Sequence, residues 1–299
     1  MHRALQLLRS APFDAAVPCA VAVAKIREAS GLDFRRARAR AGFARGHLLD
    51  VVLYLPGGRG GAHEAEAAED LVRLLIGEEL FERWVGSVVA TPTVRGGPLT
   101  VLNENSEERT ALPIETLLET VRAAIHGLKL GLPELSFEAS ADTADWFAFE
   151  LEPQPAPDYV AQDDLLFCST RVPELKKSYL RAEPFFSGRF SNSGALFAYL
   201  KFQALERTPE GRLRERARFE ELIKSSLHEA LGGLVGLGLG LRYSYIDVAV
   251  LDPDCVSERL LPALRAAQIT KRSWLMFCDS ELEHEFIPVY ADSPAPFRG

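Results

Sequence analysis

Asp279, Glu281, Glu283 and Glu285 stand at every second position, so in a strand their four carboxylates would share one face. Such a face is solvated or meets a basic partner. His284 would point the other way, between Leu282 and Phe286, and is a poor partner for those carboxylates. A second charged group is basic: Arg35, Arg36, Arg38, Arg40 and Arg45 cluster with Phe34 and Phe43. Guanidinium groups among aromatic rings suit phosphates or an acidic protein surface. The plainer alternative is that they pair with the chain's own carboxylates. Arg35, Arg36, Arg38 and Arg40, with Asp279, Glu281, Glu283 and Glu285, are the candidate partner-binding positions.

Asp252-Pro253-Asp254 could hold a divalent cation between paired carboxylates, but such residues more often end a strand and cap the next helix, a role Ser257 and Glu258 reinforce. Pro56-Gly57-Gly58-Arg59-Gly60-Gly61 lies between a strand and a helix, where free amides attract anions. It lacks the Lys-Ser/Thr of a phosphate loop, and Glu64, Glu66, Glu69 and Asp70 follow it, so a turn without bound phosphate is expected. Gly232, Gly233, Gly236, Gly238 and Gly240 read as a helix C-cap leading into a strand whose glycines permit close backbone packing. The six histidines and four cysteines form no local group: Cys19, Cys168, Cys255 and Cys278 include no C-x-x-C pair. No catalytic, metal-binding or cofactor residue is assigned.

Positioning these groups requires a run of alternating elements. Leu48–Leu55 reads as a strand and Val88–Val94 as another, with a helix from His63 to Trp84 between them that Gly77 can break. Gly96-Gly97-Pro98 marks a turn. A helix follows, with Ile114, Leu117, Leu118, Val121, Ile125 and Leu128 as its stripe, and then strands near 134–139 and 145–151. Trp146–Phe149 lacks alternation, which predicts burial on both faces. Pro153, Pro155 and Pro157 lock an extended junction. Beyond an irregular stretch with Asp163-Asp164, a strand at Leu165–Ser169 and an aromatic loop through Phe185, Phe186 and Phe190, the pattern resumes. Strands are expected at 195–205, 241–251, 273–278 and 284–290, with helices at about 210–231 and 257–268. Phe219, Leu222, Ile223, Leu227, Ala230 and Leu231 form the stripe of the first of these helices.

The two halves echo each other. Leu117-Leu118-Glu119-Thr120-Val121-Arg122-Ala123-Ala124 returns as Leu260-Leu261-Pro262-Ala263-Leu264-Arg265-Ala266-Ala267, each copy followed by Trp-x-x-Phe, and Glu69–Arg73 echoes Glu220–Lys224. The expected fold is α+β, two tandem ferredoxin-like β-α-β-α-β-β repeats with helices covering one sheet face. The expected organisation is a basic segment at 1–47, a first repeat at 48–152, a Pro-rich linker and irregular segment at 153–193, and a second repeat at 194–299.

The run from Phe197 through Pro209-Glu210-Gly211, Phe219-Glu220-Glu221-Leu222, Ile246–Leu251 and Trp274 to Pro288-Val289-Tyr290 resembles an uncharacterised bacterial ferredoxin-like family allied to ribonuclease E inhibitor proteins. The resemblance covers the second half and, more faintly, the first. It implies a small regulator or binding module and transfers no functional residue.

Charge refines this. Residues 1–47 hold nine Lys/Arg and three Asp/Glu, leaving 25 basic and 39 acidic side chains elsewhere and an overall net charge of −8. Such a field disfavours nucleic acid as main partner. Arg3 and Arg9 precede an Ala/Val-rich stretch, but Pro12, Asp14 and Pro18 interrupt it, so a strand at about 17–26 is expected in place of a secretion signal. No run approaches the roughly 20 apolar residues of a membrane span. A cytoplasmic, non-enzymatic inhibitor- or immunity-type protein that binds another protein is the leading expectation. The alternatives are an enzyme or small-ligand protein with its site between the repeats, walled by the glycine loops and Phe185–Phe190, and a tandem ferredoxin-like RNA binder using the basic segment and glycine run.

Overall fold

A computed structural model describes residues 15–44, 47–93, 110–132, 145–181, 184–227 and 231–296. The strand expected near 134–139, the turn at Gly96-Gly97-Pro98, and Arg3, Arg9, Arg45, Val94 and Ala230 lie outside them. The chain is α+β and divides into two compact units, one spanning Pro12–Gly131 and the other built on Leu132–Gly299. The division therefore follows Gly131, not the prolines at 153–157. The basic segment supplies a helix and a strand of the first unit, and residues 153–193 belong to the second.

The first unit runs α1 (Cys19–Ser30), β1 (Arg38–Phe43), β2 (Leu49–Pro56), α2 (Ala62–Ile76), α3 (Glu78–Trp84), β3 (Val85–Thr93), β4 (Leu112–Pro113), a 3-10 turn at Ile114–Thr116, and α4 (Leu117–Gly131). The strand expected at 17–26 is instead α1. Ala22, Val23 and Ile26 fall on one helical face and are buried there, so packing outweighs the β preference of valine. Gly77 divides α2 from α3 with φ 87°, a conformation glycine takes without a Cβ penalty. The sheet order is β3-β2-β1-β4; β2 and β3 are parallel and the other pairs antiparallel. Leu49, Val51 and Leu53 of β2, Leu71, Val72 and Leu75 of α2, and Leu117, Val121 and Ile125 of α4 are buried in this unit. The opposite sheet face, with Arg38, Arg40, Asp50, Val52, Ser87 and Val89, is half-buried or exposed.

The second unit holds a seven-stranded sheet, antiparallel throughout: β5 (Phe147–Glu150), β6 (Leu165–Thr170), β7 (Leu196–Gln203), β8 (Gly232–Gly240), β9 (Tyr243–Val250), β10 (Ser273–Phe277) and β11 (Phe286–Pro288), in the order β11-β10-β7-β9-β8-β6-β5. Helix α5 (Pro173–Leu180) lies between β6 and β7, α6 (Pro209–Ser226) between β7 and β8, and a π-helical turn at Val256–Leu260 leads into α7 (Leu261–Ala266). Pro209 opens α6, and the Thr208 hydroxyl caps it by accepting from Gly211 N at 3.1 Å. Phe219 and Ile223 of α6, and Leu260, Leu261 and Leu264, pack on one sheet face with Leu200, Phe202, Ile246, Val248 and Leu275. The other face carries Tyr199, Tyr245, Trp274 and Met276. It is covered by the stretch that looked irregular in sequence, through Tyr159, Leu175, Phe185 and Phe190.

The glycine run forms the expected close-packed strand, but with Gly232 and Gly233 already inside it in place of a cap: β8 begins at Gly232 and pairs with β9 as a hairpin. It is the strand missing from the expected element order. Among the described residues the two halves do not share a topology. Helix α7 leads into β10 of its own sheet, whereas the next described strand after α4, β5, belongs to the seven-stranded sheet of the second unit. Nor is Trp146–Phe149 buried on both faces. It ends the sheet, with Trp146 half-buried and Phe147 47% exposed, while Trp274 is fully buried. Leu261 is likewise buried and its echo Leu118 only half-buried. Leu261→Ala should therefore lose ~2–5 kcal/mol in urea unfolding, and Leu118→Ala about 1 kcal/mol. Equal losses would contradict this packing.

Candidate functional site

The acidic series does not form a strand face. Residues Ser280–Leu282 make a 3-10 turn, with Leu282 in the core and Asp279 buried beside it, so the four carboxylates do not share a face. Asp279 is buried and accepts from Ser187 N at 2.8 Å and from the Ser187 hydroxyl, a structural anchor for the 185–190 segment. Glu281 and Glu283 are exposed and Glu285 is half-buried. His284 Nε2 lies 3.1 Å from Glu283 Oε1, correcting its expected isolation from the acidic side chains.

The arginines largely face their own chain. Arg35 Nε donates to both oxygens of Asp33, at 2.9 and 3.0 Å, and this holds the Asp33 carboxyl well below the usual carboxylate range. Arg38 Nε donates to Ala111 O at 3.0 Å. Arg36 is exposed, and Arg38 and Arg40 share the open face of β1. At the glycine loop, Glu64 accepts from Arg59 N at 3.0 Å and Gly60 N at 2.9 Å, so a resident carboxylate sits where an anion would. Asp252 accepts from Asp254 N at 3.0 Å, a turn at the start of the π-helical segment. Phe185 and Phe190 stack at 4.9 Å inside the core and are not walls of an open site.

The chemistry-bearing residues that the structure gathers are different ones, on the covered face of the seven-stranded sheet. Asp247 of β9, Lys176 of α5 and Gln162 close a buried triangle: Lys176 Nζ lies 2.7 Å from Asp247 Oδ2 and 2.8 Å from Gln162 Oε1, and Gln162 Nε2 donates to Asp247 Oδ1 at 3.1 Å. Burial alone would lower the Lys176 pKa, but Asp247 outweighs it and raises the value. Asp164 is fully buried and accepts from Arg242 N and Tyr243 N, each at 2.8 Å, and from the Tyr245 hydroxyl. Asp158 accepts from Tyr243 Oη at 2.9 Å and from Arg272 Nη2 at 3.1 Å.

The spaced glycines explain why these carboxylates fit. A Cβ on Gly236 would stand 2.4 Å from the Asp247 carboxylate, and one on Gly240 2.4 Å from that of Asp164. Glycines two apart on one strand face were therefore the available sequence signal that a segment lies close against β8. Nothing in the spacing told which segment.

Lys201 of β7 is a second buried lysine on this face. It is fully buried, donates to Tyr159 O at 2.6 Å and lies 4.5 Å from the Tyr243 ring centroid. Burial pushes its pKa down to about 8, although Asp164, Asp158 and Asp163 act in the other direction. An amine so tuned can serve as base or nucleophile at neutral pH. Here the 158–164 segment seals it, and its proton is committed to a backbone carbonyl. Between pH about 8 and the ordinary 10.5, the unfolded chain holds a proton that the folded chain lacks, so this group's contribution to stability rises with pH across that window. Comparison with Lys201→Met isolates it. The stability of the wild type relative to the variant should gain up to about 3 kcal/mol from pH 7 to pH 10. A difference flat in pH would contradict the shift.

In the first unit, a groove of about 560 Å³ runs along α1 past Cys19, Val23, Ala24, Arg27 and Arg35, and joins a hollow of about 310 Å³ at Cys19 and Glu115. Burial, and secondarily Glu115, push the Cys19 thiol up, which keeps it protonated and poorly nucleophilic. All four cysteines are free thiols. Among the described residues no group of three or more His, Cys, Asp or Glu is placed to hold a metal ion, and no helix is long and apolar enough to cross a membrane.

Fold and sites together define an α+β protein with one helix-covered mixed sheet and one seven-stranded antiparallel sheet enclosed on both faces. No family model matches the chain, and no curated protein or solved structure matches it.

Proposed function

We propose that this chain is a non-enzymatic binding module that regulates a protein partner in the manner of an inhibitor or immunity protein. One observation carries this reading: large apolar side chains gather, uncovered, at one end of the seven-stranded sheet. Phe147, Leu166 and Phe167 are 47%, 39% and 38% exposed, beside half-buried Trp146 and Phe149 on the same two strands. Exposed aromatic anchors, here on both faces of a sheet end, are what protein interfaces use. The net charge of −8 favours a basic partner, through faster encounter and better discrimination. Arg35, Arg36, Arg38 and Arg40, and Glu281, Glu283 and Glu285, are charged positions that tune encounter; Asp279, being buried, is excluded from that role. The element order β7-α6-β8-β9-α7-β10, with sheet order β10-β7-β9-β8, supports a ferredoxin-like core in the second unit, enlarged by β5, β6 and β11.

The test is affinity capture from the source cell with mass spectrometry, followed by reciprocal binding of the purified partner to a Phe147→Asp/Phe167→Asp variant. A loss of at least about tenfold in affinity is expected. Equal affinity would remove this end of the sheet as the interface, and recovery of no protein partner would overturn the reading.

A further inference from the structure

We infer that the outer edge of β5 is a strand-addition site, taking an extended basic segment of a protein partner; this rests on the binding-module reading and names its surface and its ligand. Strand β5 closes the sheet order, and among the described residues no strand pairs with its outer side. Leu151 N donates to Leu166 O at 2.9 Å, toward β6. Backbone groups alternate along a strand, so Phe149 and Phe147 also turn toward β6, while the N–H and C=O of Ala148 and Glu150 point off the sheet.

Natural edges are guarded by lysines, prolines or bulges. β5, four residues long, contains no lysine, proline or bulge, and the charges on and beside it are the carboxylates of Asp145, Glu150 and Glu152; the opposite edge, β11, ends in Pro288. The side chains offer grip on both faces. Phe147 and Phe149 project on one, and Trp146 and Ala148 on the other, beside Phe167. Aromatic side chains flanking an added strand favour β-branched partners.

Charge selects the occupant. Asp145, Glu150 and Glu152 are exposed at the ends of the strand, and no Lys, Arg or His occurs from Asp145 through Thr170. A second copy of the chain would set carboxylate against carboxylate, which is unfavourable across a strand pair. An incoming segment with alternating lysine or arginine relieves that charge and supplies the missing hydrogen bonds, the mode in which backbone gives affinity and side chains give choice.

The probe is a fluorescein-labelled nonapeptide of alternating lysine and valine, read by anisotropy against the full chain. Its match is the same peptide N-methylated at alternate residues, which keeps composition and charge but loses donors. Ala148→Pro removes only an outward-facing N–H and should leave the thermal midpoint in place. Both changes are expected to weaken binding at least about tenfold. Hydrogen exchange on the wild type supplies a readout independent of that variant: the peptide should protect the Ala148 and Glu150 amides. Absent binding, equal binding of the methylated peptide, or unprotected Ala148 and Glu150 amides would overturn strand addition. A dimer in sedimentation that Ala148→Pro dissolves would assign the edge to a second copy and overturn this occupant. A captured partner retained undiminished by Ala148→Pro would overturn strand addition alone, whereas the absence of any partner would overturn the underlying reading.

Discussion

Replacing Asp247 by alanine lowers the stability of the second unit by about 3–5 kcal/mol, because it strands the Lys176 ammonium in an enclosed layer. The triangle of Lys176, Asp247 and Gln162 satisfies each partner through the others, so removing the carboxylate also unpairs the Gln162 amide. Water cannot replace it without lifting the covering segment. Asp247→Asn should cost less, since the amide keeps a hydrogen-bonding group in place but gives up the charge. The double variant Lys176→Met/Asp247→Leu should recover most of the loss, because a packed apolar pair carries no desolvation penalty. Urea unfolding near pH 7 measures all three. A single-variant loss under about 1 kcal/mol would mean that the pair is solvated and the cover loose.

Trp274→Ala carries the second large effect, again about 3–5 kcal/mol. The side chain is fully buried, meets Tyr243 edge-on with ring centroids 6.0 Å apart, and donates from Nε1 to Pro294 O at 2.7 Å. Its removal opens a cavity under Tyr243 and frees the Pro294 carbonyl. Trp274→Phe retains much of the volume but not the donor, so its smaller loss reports the hydrogen bond and residual void together. A loss below about 2 kcal/mol for the alanine variant would show that the site collapses around the gap.

Much of the second unit was legible as sequence. Leu196–Gln203, Pro209–Ser226 and Tyr243–Val250 fall where the apolar patterns put them, because each element buries a face at its own period. The patterns failed where tertiary contacts decide. Valine-rich 19–30 is helical because Ala22, Val23 and Ile26 fit one buried face. Gly232–Gly240 was legible as a close-packed strand, but not what packs there: its bare face admits Asp164 and Asp247. Trp146 and Trp274 sit in matching words and unlike places, one at a sheet end and one in a core. The buried charges were invisible because each partner is remote in the chain: Asp164 meets Tyr245 81 residues on, and Gln162 meets Asp247 85 residues on.

That remoteness bears on how the protein is made. The covering segment and strands β5 and β6 leave the ribosome before β7, β8 and β9, the strands they must pair with or overlie. At roughly 5–20 residues per second, Gln162 waits about 4–17 s for Asp247 to be synthesised. Over that interval the carboxylates of Asp158 and Asp164 and the rings of Phe149, Phe185 and Phe190 have no sheet to rest on. The sheet of the second unit is thus completed late in synthesis, after the segment that covers it has left the ribosome.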